Sequence, residues 1–141
     1  MLFPPQTKEV QYDEKWGFAG KKEANCDKDN PLDRFFGDNW DHTAVDPEHR
    51  LLLSLVPGKR TSENCHKVVE DVKKRTGGRT DILFTSDEHS PYKEAIKEKY
   101  GQEFSQPKES PSQEGQSTSN KEMPNDLCYA TVSKTRAKGR V

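Results

Sequence analysis

The chain has 141 residues, 29% apolar and 33% charged, with a mean hydropathy of −1.14. Its 23 basic and 24 acidic side chains leave a net charge of −1, which excludes a protein that holds nucleic acid by bulk charge. That length accommodates one domain, and so small an apolar share must be concentrated somewhere to build a core.

Residues 9–18 alternate, with Val10, Tyr12, Trp16 and Phe18 on one face and Gln11, Asp13 and Lys15 on the other, which predicts a strand. Glu14 falls on the apolar face of that strand. A polar stretch, 19–39, follows, with Asn30-Pro31 as a turn signal. Two apolar runs, 43–45 and 51–56, flank Asp46-Pro47-Glu48-His49, which predicts a hairpin. A helix then starts at Thr61 or Ser62, and Cys65, Val68, Val69 and Val72 recur at the spacing of one buried stripe. Lys73, Lys74 and Arg75 suit its last turn and Gly77-Gly78 stop it.

The short apolar run 82–84 predicts a strand buried on both faces, ending at Thr85-Ser86-Asp87. Ser90-Pro91 opens a second helix, with Tyr92, Ala95, Ile96 and Tyr100 inward and Gly101 closing it. Residues 1–101 therefore form the folded part, an α/β layer architecture. Residues 102–126, rich in Ser, Gln, Pro and Glu, are expected to be a disordered linker. Residues 127–141 comprise an apolar segment, 127–132, and a basic tail carrying Lys134, Arg136, Lys138 and Arg140.

The three cysteines, Cys26, Cys65 and Cys128, are widely spaced, with no CxxC pair and no zinc-finger pattern. A disulfide framework and a structural zinc site are both disfavoured on that ground, and Cys65 reads as a small buried apolar residue. No apolar run approaches the roughly 20 residues of a membrane span, and the first residues lack a secretory signal. The expectation is a soluble cytoplasmic chain with no membrane partner.

Two carboxylates stand out by position. Asp13 lies on the strand face opposite the aromatic residues, and Asp87 follows a buried strand, where ligands of open α/β sheets collect. A surface carboxylate and a turn-initiating Asp are the plain alternatives. His42, His49, His66 and His89 read as solvated residues, although His89 lies two residues after Asp87. Lys59-Arg60 reads as a solvated strand end, with phosphate contact as the alternative.

Five blocks of sequence resemble the transposases of the insertion-sequence-one family. They are Tyr12-Asp13-Glu14-Lys15-Trp16-Gly17-Phe18, Gly37-Asp38-Asn39-Trp40, Gly58-Lys59-Arg60-Thr61, Thr85-Ser86-Asp87-Glu88-His89-Ser90-Pro91-Tyr92, and the segment from Leu127 to Arg136. The resemblance implies a DDE recombinase with a ribonuclease-H-like mixed sheet: three antiparallel strands, a helix, a strand and a helix. It implies Asp13 and Asp87 as the first two catalytic, metal-binding carboxylates, with Mg²⁺ (or Mn²⁺) as cofactor. It also implies transposon-end and target DNA as partners, contacted through Lys134, Arg136, Lys138 and Arg140, and a homo-oligomer. The family's third acid, a Glu on a later helix, is expected beyond the segment 127–136. Glu103, Glu109, Glu114 and Glu122 precede it and match no family motif, so the expected chain is incomplete at its C-terminus and lacks an amino-terminal recognition part. An inactive remnant that at most binds DNA through the basic tail is the rival expectation, and a small interaction protein a third.

Overall fold

A computed structural model describes residues 6–88, 90–103 and 121–133. Strand β1 (Glu9–Ala19) leads through two single-turn 3₁₀ segments, Glu23–Asn25 and Asp33–Phe35, into β2 (Gly37–Asp46) and β3 (Leu51–Gly58). Helix α1 (Ser62–Arg75), β4 (Leu83–Asp87) and α2 (Ser90–Tyr100) follow, then β5 (Gln102–Glu103), β6 (Lys121–Glu122) and β7 (Cys128–Val132). The main sheet has the order β3-β2-β1-β4-β7. β1, β2 and β3 form an antiparallel meander, while β4 runs parallel to β1 and β7 parallel to β4. The fold is thus α/β with a mixed five-stranded sheet, and the parallel return of β4 to β1 follows the connection expected across a helix.

Local signals account for the elements. Thr61 caps α1, its hydroxyl accepting from the Asn64 N–H at 3.3 Å. Cys65, Val68, Val69 and Val72 are all fully buried, so the apolar stripe meets the sheet as its spacing predicts. Gly77 and Gly78, at φ of 66° and 74°, end the helix in left-handed backbone, and the Gly78 N–H bonds back to the Lys73 carbonyl at 2.8 Å. On α2, Tyr92, Ala95, Ile96 and Tyr100 are buried, and Tyr92 stacks on Tyr12 of β1 with ring centroids 5.1 Å apart. Both helices cover the sheet face that carries Val10, Tyr12, Phe84 and Ser86. Gln11, Asp13 and Lys15 are exposed on the other face.

The hairpin between β2 and β3 is anchored from within. Asp46 is fully buried and accepts three hydrogen bonds: from the Thr7 hydroxyl at 2.8 Å, the His49 ring at 2.9 Å and the His49 main-chain N–H at 3.0 Å. The register of β3 against β2 slips between Ala44 and Val45, which lets Leu53 and Ser54 both turn inward.

Three sequence expectations need correction. β2 begins at Gly37, six residues before the apolar run at 43–45, because Gly37–His42 pair with the far half of β1, from Glu14 to Ala19. Backbone pairing overrides the turn-like composition of Gly37, Asp38 and Asn39. The strand expected at 82–84 runs from Leu83 to Asp87 and is buried on one face only: Phe84 is buried and Leu83 is 38% exposed, because both helices lie on one side. The stretch 102–126 is ordered at its flanks, where β5 and β6 pair antiparallel, and Met123 packs on the core. Residues 104–120 and the basic tail lie outside the described residues.

Candidate functional site

Asp13 occupies the middle of β1, exposed on the face away from the helices. Its Oδ1 accepts the Glu14 N–H at 2.8 Å, and its main-chain oxygen accepts the Thr43 hydroxyl at 3.1 Å from β2. Asp87 ends β4 and is half-buried. The parallel register pairs Gln11 with Thr85 and Tyr12 with Ser86. The ladder ends there, and Asp13 and Asp87 are the next residue on each strand. Alternation then gives both the face opposite Tyr12 and Ser86. Two carboxylates so placed are hard oxygen donors of the kind Mg²⁺ accepts, since that ion keeps several waters and takes few protein ligands. The other sequence candidates, Lys134, Arg136, Lys138, Arg140 and His89, lie outside the described residues.

Glu14 turns the other way, under the helices, and its side chain is 3% exposed. Arg60, just before α1, holds one carboxylate oxygen through both Nε and Nη2 at 2.9 Å. This charge-assisted pairing answers why an acid sits on the apolar face of β1. The second oxygen, Oε1, lies 3.8 Å from the Cys65 sulfur in the first turn of α1. His42 is the direct cross-strand partner of Glu14 on β2. It is fully buried, which corrects the expectation of a solvated histidine. Its Nδ1 bonds the Val56 carbonyl at 3.1 Å, while its Nε2 is buried without a hydrogen-bond partner. The ligand atoms of Glu14, His42 and Cys65 all lie within 4.8 Å of one another.

Cys65 also lies beside Tyr92 of α2. Burial, then the nearby Glu14 carboxylate, pushes the Cys65 thiol up to about 12. A thiol held protonated in this way is a poor nucleophile, so the cluster does not read as a cysteine-hydrolase centre. Lys59 and Arg60 are engaged within the protein: Lys59 bonds Glu23 at 2.5 Å and the Asp38 carbonyl at 2.8 Å, and Arg60 bonds Glu14.

Asp13 and Asp87 could each be singled out from position along the chain, but the Glu14–His42–Cys65 cluster could not. Its one sequence signal is Glu14 breaking the apolar face of β1. His42 shares the inward phase of Ala44 and Asp46, but that phase becomes visible only once β2 is known to start at Gly37. Comparison with family models, curated proteins and solved structures finds no match. Among the described residues, no helix is long and apolar enough to cross a membrane.

Proposed function

We propose that this chain is the catalytic core, or a remnant of the core, of a DDE-type transposase with a ribonuclease-H-like sheet. The observation that carries the reading is the adjacency of β1 and β4 in parallel register, which runs up to Tyr12 and Ser86, the residues just before Asp13 and Asp87. The five ordered blocks that resemble insertion-sequence-one transposases point to the same two residues, and the antiparallel meander followed by a parallel β4 is the sheet that resemblance implies.

On this reading Asp13 and Asp87 hold Mg²⁺ or Mn²⁺, which in such enzymes activates the attacking oxygen and stabilises the leaving oxygen of in-line phosphoryl transfer. The protein's own contribution is positional. The Glu14 N–H fixes one Asp13 oxygen, and the Thr43 hydroxyl ties the Asp13 main chain to β2. Asp87 enters from the C-terminal end of β4, leaving the open side of the sheet for a DNA phosphate. Basic residues at 134, 136, 138 and 140 supply salt-sensitive DNA affinity. The pair supplies two of the three acids of a DDE triad, so metal binding rather than turnover tests the reading directly.

The experiment is a Mn²⁺ titration of the ¹⁵N-labelled chain followed by paramagnetic broadening of amide signals. Broadening centred on Asp13 and Asp87, and lost in Asp87→Ala with the remaining spectrum intact, is the expected result. Broadening scattered over the surface carboxylates, unchanged in that variant, overturns it.

A further inference from the structure

We propose that Glu14, His42 and Cys65 form a second metal site, selective for Zn²⁺ or a similar borderline-soft ion and separate from the Asp13–Asp87 pair. The three side chains converge from β1, β2 and the first turn of α1 into the layer between sheet and helices. Glu14 lies on the helix-covered side of the sheet and Asp13 on the exposed side, so the two sites occupy opposite faces.

The second observation pointing to a ligand is the His42 ring. A carbonyl oxygen only accepts, so the 3.1 Å contact with Val56 places a proton on Nδ1, and the neutral ring then presents a lone pair at Nε2. That nitrogen is buried without a partner, a costly state for a polar atom. A metal-ligating histidine commonly donates its other ring N–H to a backbone carbonyl, which fixes the tautomer, and Val56 does this here. Arg60 plays the corresponding part for Glu14 by holding Oε2, which leaves Oε1 directed at the Cys65 sulfur.

The geometry is close to what zinc requires. Bond lengths of about 2.0–2.3 Å around a tetrahedral ion set its ligand atoms roughly 3.4–3.6 Å apart. The Oε1–Sγ separation is 3.8 Å, and one ligand atom from each side chain lies within 4.8 Å of the other two, slightly wider than a zinc ion would hold them. One thiol, one imidazole and one carboxylate suit zinc, whereas Mg²⁺ favours oxygen alone. Binding forms the Zn–S bond as the Cys65 S–H bond breaks, and its proton passes to solvent. Oxidation states do not change. The ion would join β1, β2 and α1 through three bonds, and a water molecule would take the fourth position.

The test uses Co²⁺ alone as the probe on the full chain, carrying Cys26→Ser and Cys128→Ser and prepared free of metal. Cys65 is then the only thiol, so a thiolate-to-cobalt charge-transfer band can arise from no other residue. We expect one equivalent of Co²⁺ to produce that band and Zn²⁺ to abolish it by displacement. His42→Gln should weaken Co²⁺ binding at least tenfold, whereas Asp13→Asn with Asp87→Asn should leave the band unchanged. No charge-transfer band on Co²⁺ addition overturns the proposal, as does a band of undiminished affinity in folded His42→Gln. If His42→Gln fails to fold, X-ray absorption of the cobalt-loaded parent decides: one sulfur with nitrogen and oxygen neighbours supports the site, and oxygen alone refutes it. A band lost with the two Asp substitutions in a folded chain would also refute it, because the two sites would then not be separate. Failure of the Mn²⁺ experiment at Asp13 and Asp87 has no bearing on these outcomes.

Discussion

Replacing Asp46 by Ala removes the anchor of the β2–β3 hairpin, and the cost follows from its three hydrogen bonds. Thr7 is 1% exposed, so its hydroxyl loses the Asp46 acceptor in a buried setting. The His49 side chain is 34% exposed, so its two lost bonds are partly made good by solvent. A hydrogen bond to a charged group contributes about 1.5–3 kcal/mol and a stranded buried donor costs about 1–3 kcal/mol. One full loss and two partial ones give about 2–4 kcal/mol, or roughly 10 °C in Tm for a domain of this size. The effect has a pH signature. Burial pulls the Asp46 carboxyl upward, but the His49 N–H, the His49 ring and the Thr7 hydroxyl outweigh it and hold the group below the usual carboxylate range. A lowered folded pKa means that the stabilisation is present above the unfolded value, about 3.9, and is lost as pH falls through the folded one. Urea melts of wild type and Asp46→Ala should therefore differ by the full amount at pH 5, and the gap should narrow as pH falls below about 3.9. A gap below 0.5 kcal/mol at pH 5, or one of equal size at pH 3, refutes this account.

Two further substitutions test the packing around the sites. Arg60→Ala leaves the Glu14 carboxylate under the helices without its cation; because Arg60 is 43% exposed, the loss should be about 1–3 kcal/mol rather than the larger cost of breaking a fully buried pair, read as a lower urea midpoint. An unchanged midpoint would show that Glu14 does not depend on Arg60. Gly101→Ala brings a Cβ to 2.3 Å from the Lys97 carbonyl oxygen and 2.8 Å from the Lys121 Cβ, where the backbone cannot yield. It should destabilise by about 1–3 kcal/mol and loosen the β5–β6 ribbon, seen as faster amide exchange at Lys121 and Glu122. Wild-type exchange rates in that variant would refute the clash.

The helices were the most legible elements, because a stripe such as Cys65, Val68, Val69 and Val72 depends on a local period and on caps within one turn of each end. Thr61, Gly77 and Gly78 carry those boundaries in their own backbone chemistry. The hairpin at Asp46–His49 was legible for the same reason. Gly37–His42 was not, since its strand conformation comes from pairing with residues of β1, Glu14 to Ala19, well outside any local window. The one-sided burial of β4 was equally hidden, because a short apolar run does not say whether helices cover one face of the sheet or both.

The candidate sites divide in the same way. Asp13 and Asp87 could be singled out because a position on a strand face or at a strand end is a property of the local sequence. That their strands lie side by side was decided by the parallel register of β1 and β4, which closes a loop of some seventy residues. Glu14, His42 and Cys65 belong to three different elements and share no spacing that a motif could capture. Only the cross-strand pairing of Glu14 with His42, and the seating of the first turn of α1 above them, gathers a carboxylate, an imidazole and a thiol into one buried volume. Sequence specifies residues whose roles rest on neighbours a few positions away; the tertiary fold decides those whose partners are distant in the chain, because only chain closure brings their side chains within bonding distance.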